Sequence, residues 1–197
     1  MEGNAANGFG IVAIAASAGG ITALNAVLGR LPLDFPVPVV VVQHLDPRHR
    51  SLLAQVLGRR TGIPVGEARD HDDLRAGHIY VAPPDRHLLV NKGGTISLTQ
   101  TELVHFTRPS ADLLFESVAA AYGARAIVVV LTGTGSDGAM GVRAIKKRGG
   151  TVIAQDEASS EFFGMPAAAI QTGMVDFVLD VEEIAAALTT LVTGAAD

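Results

Sequence analysis

Three side chains in this sequence have the chemistry of a hydrolase if they meet: the hydroxyl of Ser17, the imidazole of His44 and the carboxylate of Asp137. Each comes directly after an apolar run. Ser17 closes FGIVAIAAS, His44 closes VPVVVVQH, and Asp137 lies in LTGTGSDG after AIVVV. The segment Ser17-Ala18-Gly19-Gly20 leads into helical spacing from Ile21, so it reads as a sharp strand-to-helix turn. A serine there exposes its hydroxyl where the first N–H groups of the helix also point. In that setting a nucleophile and an oxyanion site can coexist. The spacing Ala15-Ala16-Ser17-Ala18-Gly19 approaches the G-x-S-x-G elbow of serine hydrolases, with Ala15 in place of the first glycine.

Taken singly, each residue has an ordinary reading as well. The small-residue turn could bind phosphate, although no G-x-G-x-x-G runs through Ala15 to Gly20 and no Lys-Ser/Thr pair follows Gly20. Ser17 could cap a helix, His44 could be a satisfied histidine at a strand end, and Asp137 could cap the helix that follows it. Their coincidence is what carries weight. Open parallel sheets bind ligands at the carboxyl ends of their strands, and a Ser-His-Asp triad is recognised by roles, whatever the chain order. The order here, Ser then His then Asp, differs from the α/β-hydrolase, chymotrypsin and subtilisin orders. The other histidines, His49, His71, His78, His87 and His105, fall in turns or at strand starts. The run Arg69 to Asp73, RDHDD, reads as a solvated turn in preference to a metal cluster.

The elements that must position these residues follow from periodicity. Phe9 to Ala16, Val37 to Gln43 and Ala126 to Leu131 are unalternated and rich in β-branched residues, as expected of strands buried on both faces of a parallel sheet. Between them, Ile21 to Leu31, Ser51 to Leu57 and the stretch capped by Ser110 carry helical spacing. His78 to Ala82, Thr151 to Ala154 and Val175 to Val178 read as short strands, Pro166 to Thr172 as a short helix, and Val181 to Val192 as the closing helix. His87 to Asn91 and Thr95 to Leu98 flank Lys92-Gly93-Gly94 as a β-hairpin, expected at one edge of the sheet. The fold class is therefore α/β: a doubly wound, mostly parallel, Rossmann-like sheet with an antiparallel hairpin.

Composition agrees with that class. The chain has 197 residues, 48% hydrophobic and 18% charged, with a mean hydropathy of +0.34, which suits one domain whose sheet is covered on both sides. Net charge is -5 and the 15 Lys and Arg are scattered, so no nucleic-acid footprint is visible. With no Cys, disulfides, thiolate metal sites and cysteine catalysis are excluded together. No apolar run approaches the ~20 residues of a membrane span, and the N-terminus lacks a signal-peptide pattern. A cytoplasmic location is the simplest expectation. Residues 1–8 are expected to be a flexible N-terminus and residues 9–192 a single catalytic domain.

Read together, SAGG after a strand, VVQHLDP, IYVAPPDRHL, RPSADLLFESVA, LTGTGSDG and the late QDE…FGMP resemble, in order and over nearly the whole chain, the methylesterase domain of the chemotaxis protein CheB. The resemblance implies a serine hydrolase that removes methyl esters from glutamyl side chains of chemoreceptors and releases methanol, with glutamine deamidation as a related reaction. It implies Ser17 as nucleophile, His44 as base and Asp137 as the carboxylate orienting it, the same three residues. Ala18, Gly19 and Thr134 fall at oxyanion or substrate-binding positions. Ala18 and Thr134 stand where the receptor methylesterases usually have Thr and Met, and SAGG and GTGSDG look more like the domains fused to a receptor methyltransferase. No cofactor or metal is implied. Partners would be the cytoplasmic helices of a methylated chemoreceptor, with functional pairing to a methyltransferase; neither nucleic acid nor membrane insertion is expected. No receiver domain is expected in the chain. Arg48, Arg50, Arg86 and Arg108 are candidates for docking an acidic helical substrate. Because of Ala18 and Thr134, a catalytically altered binding module is the alternative function, and a nucleotide-binding protein is a third.

Overall fold

The computed structural model describes residues 8–44, 51–104 and 107–194. The expected loop from Leu45 to Pro47, the residues Arg48, His49, Arg50 and His105, and all of the expected flexible terminus except Gly8 lie outside these residues.

Seven strands form one parallel sheet: β1 (Ile11–Ala16), β2 (Val39–Gln43), β3 (Val65–Glu67), β4 (Ile79–Val81), β7 (Ala126–Val130), β8 (Thr151–Gln155) and β9 (Phe177–Leu179). Their order is β3-β4-β2-β1-β7-β8-β9. Successive strands add to one side of β1 up to β3 and β4, and to its other side from β7 onward. The winding therefore reverses between β1 and β7, which places a crevice outside their carboxyl ends. Register is set by Ile14 opposite Val41 on one flank and opposite Val129 on the other.

The unalternated runs are explained by burial on both faces. Val12, Ile14, Val39, Val41, Ile127 and Val129 face a layer of three helices, α1 (Gly20–Leu28), α2 (Leu53–Gly58) and α6 (Ile184–Thr193), through Leu24, Leu57 and Leu188. Their neighbours Ala13, Ala15, Val40, Val42, Val128 and Val130 face α3 (Ala111–Tyr122), α4 (Ala139–Lys147) and α5 (Gly164–Gln171) through Phe115, Ile145 and Met165. A side chain on either face is removed from water, worth about 1.5–3 kcal/mol for each large aliphatic residue.

Two details differ from the sequence expectation. The hairpin, β5 (His87–Val90) with β6 (Ile96–Thr99), forms its own two-stranded sheet and does not extend an edge. It lies over α3, with Leu88, Val90 and Ile96 in the core on that side and Val90 N–H donating to Ser117 Oγ at 2.9 Å. The edge of the main sheet is instead β3, which has no counterpart in the sequence reading because its three residues include a glycine and are largely exposed. The RDHDD turn fastens this region to the hairpin: Asp72 accepts from Arg69 N–H at 2.8 Å and Asp70 from Leu98 N–H at 2.9 Å. Among the described residues, no helix is long and apolar enough to cross a membrane.

Candidate active site

Ser17, His44 and Asp137 follow β1, β2 and β7, three adjacent strands, and line one pocket of about 390 Å³ at the point where the winding reverses. Thr107, Thr134, Gly135 and Ser136 line it too. The ordinary reading of Ser17 as a cap does not hold. The N-cap of α1 is Gly19, at φ 74, and among the described residues no side chain caps that helix. The Ser17 backbone is held instead, its N–H donating to Thr132 O at 3.0 Å and its carbonyl accepting from Gly20 N–H at 2.8 Å and from Gln43 Nε2 at 2.7 Å.

His44 Nε2 lies 2.8 Å from Asp137 Oδ2, with the two side chains only 14% and 3% exposed. An ionised carboxylate can only accept, so Nε2 carries the proton and Nδ1 is the nitrogen left free to act as a base. Asp137 does not cap its own helix either: the N-cap of α4 is Gly138, at φ 101. Its carboxylate turns to the start of α3, where Oδ2 accepts from Ala111 N–H at 2.7 Å and Oδ1 from Asp112 N–H at 2.9 Å and Ser110 Oγ at 3.0 Å. Thr107 Oγ1 stands 3.4 Å from Oδ2. Burial alone would push this carboxyl up, but the His44 hydrogen bond and the two backbone N–H groups outweigh it and hold it below the ordinary carboxylate value. Ser110 is the expected cap, accepting from Leu113 N–H, and it also holds Asp137.

The Gly133 to Ser136 loop is shaped by close approach. A Cβ on Gly133 would overlap Met165 Sδ and stand 2.8 Å from Ser17 Cβ. Gly164 is pressed against the same loop, so that a Cβ there would lie 3.0 Å from both Gly133 O and Gly135 N. These contacts explain the late FGMP motif in local terms: it is the floor under the loop. The N–H groups of Thr134, Gly135 and Ser136 donate to no described residue, whereas Gly133 N–H donates to Phe162 O at 2.8 Å. Of the three expected oxyanion positions, Thr134 lines the pocket while Ala18 and Gly19 do not. Gly19 borders a separate cavity of about 70 Å³ beside Thr132, Gln155 and Glu161. Ala18 O lies 3.0 Å from Thr132 Oγ1.

Of the arginines expected to dock substrate, Arg108 is already engaged. Its Nε and Nη2 donate to Asp85 Oδ1 at 2.9 and 2.6 Å, and its Nη1 donates to Thr101 O at 2.7 Å. Arg86 is exposed. The sequence reading missed Gln43, Thr107, Asp112, Thr132 and Ser136. Gln43, Asp112, Thr132 and Ser136 were visible only as members of motifs, and nothing in the sequence marks Thr107.

Comparison with known proteins adds an independent line. A family model described as CheB methylesterase matches residues 12–188. A relative from Leptospira interrogans is 41% identical over 174 residues, 88% of this chain and 90% of its own. A protein-glutamate methylesterase/protein-glutamine glutaminase from Moorella thermoacetica is 44% identical over 192 residues, and one from Anaeromyxobacter dehalogenans is 48% identical over 181. The chain covers 45% and 53% of those two, about half of their length. The crystal structure of the Thermotoga maritima CheB methylesterase catalytic domain superposes with a TM-score of 0.90 at 37% identity, covering 93% of this chain and 99% of that one.

Proposed function

The chain belongs to the CheB methylesterase family, and from that premise we propose that it hydrolyses glutamyl methyl esters of a chemoreceptor through Ser17, His44 and Asp137. The observation that carries the assignment is the 2.8 Å contact between His44 Nε2 and Asp137 Oδ2 in the pocket that Ser17 also lines. Ser17 Oγ attacks the ester carbonyl and His44 Nδ1 takes its proton, while Asp137 fixes the tautomer and stabilises the imidazolium. Methanol departs with the proton from His44. Water then attacks the acyl-enzyme by the same route, restoring Ser17 and leaving a glutamate. The N–H groups of the Thr134 to Ser136 loop stabilise the oxyanion, a role in which one lost donor costs about 3 to 4 kcal/mol.

The same acyl chemistry extends to glutamine deamidation. Residues 9–192 constitute the catalytic domain, acting in the cytoplasm on the receptor's cytoplasmic helices and opposing a receptor methyltransferase. The alternative of a binding module without catalysis has less support, because the acid partner is ionised, buried and aimed at the imidazole.

Methanol release from a methylated receptor tests the reading. Wild-type protein is expected to release it, and Ser17→Ala to release none while remaining folded. Turnover retained in Ser17→Ala removes Ser17 as the nucleophile.

A further inference from the structure

We propose that Asp112 is a positioning residue for the His44–Asp137 pair: by capping the helix that follows Asp137, it leaves the Asp137 carboxylate to the imidazole. The inference rests on the functional reading above for its kinetic consequences, though not for its geometry.

An aspartate directly before a helix ordinarily turns its carboxylate onto that helix's first N–H groups. Asp137 is separated from α4 only by the N-cap, Gly138, and does otherwise; two N–H groups at that helix start, those of Gly138 and Gly141, are already occupied. Asp112, 3% exposed and on the neighbouring helix α3, places Oδ1 3.0 Å from Gly138 N and 2.8 Å from Gly141 N. In return, Asp137 accepts from Ala111 N–H and Asp112 N–H at the start of α3. Each helix start is thus bonded by a carboxylate that stands at the start of the other, with α3 keeping its own Ser110 cap as well. Each carboxylate sits at the positive end of the other's helix dipole, which allows two acidic groups to stay buried side by side.

This arrangement requires the helix starts to lie close together. A Cβ on Gly141 would stand 3.2 Å from Asp112 O and nearer still to Phe115, so only glycine permits the approach. Among the described residues, His44 stands against Asp137, and Glu116, one turn along α3, stands near Asp112; burial and then the Asp112 charge push the Glu116 carboxyl up. If the Asp112 cap is removed, the Gly138 and Gly141 N–H groups lose their acceptor. The orientation in which Asp137 caps its own helix then competes, and in that orientation His44 has no partner.

Two readouts test this, and only one depends on substrate. In proton spectra at low pH, the wild-type protein is expected to show a low-field resonance from the His44 ring proton shared with Asp137, absent in His44→Gln. Asp112→Ala is expected to lose that resonance while folded, and Asp112→Asn, which keeps an acceptor oxygen, to retain it. In methanol release, Asp112→Ala should lower kcat about 10- to 100-fold at unchanged KM, against the roughly 10⁴-fold loss of a triad carboxylate changed to an amide. Asp112→Asn should restore most of kcat and move the acid limb of kcat/KM to lower pH, because one negative charge fewer lies beside the His44–Asp137 pair. A folded Asp112→Ala with resonance and kcat intact overturns the proposal. So does an Asp112→Asn that loses both, and that variant decides the matter where Asp112→Ala does not fold. If the resonances behave as expected while no variant, wild type included, releases methanol, the substrate assignment fails and the positioning role stands.

Discussion

The side-chain amide of Gln43 donates to the carbonyl oxygen of Ser17 at 2.7 Å, and its other N–H reaches the carbonyl of His44 at 3.0 Å. One buried side chain thus ties the turn carrying the nucleophile to the strand end carrying the base. Among the described residues its Oε1 has no partner, so the two carbonyls set the orientation of the amide.

Replacing Gln43 by Ala should leave the Ser17 carbonyl with Gly20 N–H alone, take the amide donor from the His44 carbonyl, and cost about 1–3 kcal/mol for the two lost hydrogen bonds. The nucleophile would also loosen against the base. We expect kcat to fall about tenfold with KM little changed, and Gln43→Glu, which points a carboxylate at two carbonyl oxygens, to be worse in both stability and kcat. Urea unfolding and methanol release measure the two effects. Wild-type kcat in Gln43→Ala would reduce the amide to a space filler.

Gly133 makes a second prediction from contact alone. A methyl group there overlaps Met165 Sδ and presses on Ser17 Cβ, so Gly133→Ala must displace the sulfur, the nucleophile or both. Overpacking of this kind costs about 1–3 kcal/mol. The turnover loss should exceed the stability loss, since one of the two displaced groups is Ser17. A Gly133→Ala protein that melts early but labels with an organophosphonate at the wild-type rate would show that the sulfur alone had moved.

How much of this was legible in the sequence depends on how local each feature is. The strands β1, β2 and β7 announce themselves because burial on both faces erases alternation, and residues at their carboxyl ends fall on one edge by topology. Ser17, His44 and Asp137 could therefore be paired before any distance was known. Gln43 and Asp112 could not, because each acts on backbone groups about 26 residues away along the chain, a distance set only by the packed sheet and helices. The hairpin was recognisable from Lys92-Gly93-Gly94, but its place over α3 rests on packing by Leu88 and Ile96 and a bond to Ser117. Arg108, expected on the docking surface from its position in a loop, turned out to have a partner supplied from Asp85.

That partner defines a third test. Arg108 bonds Asp85, at φ 57, and the carbonyl of Thr101, which fixes the residue next to Thr107 and the pocket. Arg108→Ala should lower the melting temperature and leave the salt dependence of turnover as in wild type. A double-mutant cycle with Asp85→Ala should show the two losses to be non-additive. A changed salt dependence with unchanged melting would return Arg108 to substrate docking.

The last prediction concerns acid. Burial raises the Asp137 carboxyl, and the His44 hydrogen bond together with Ala111 and Asp112 N–H lowers it further than burial raises it, so its folded value lies below the unfolded one. For a carboxyl near 3.9 when unfolded, the stabilisation is complete above that pH and is lost as pH falls through the lower, folded value. Asp137→Asn cannot follow this course, because an amide does not titrate and places a donor where the carboxylate accepts. At neutral pH the variant should therefore be less stable than wild type, and the gap should narrow as pH drops below about 4. Urea unfolding from pH 7 to about pH 3 reads the gap directly. A gap that stays constant or widens over that range would mean that the carboxylate is not held in its charged form by the imidazole and the start of α3.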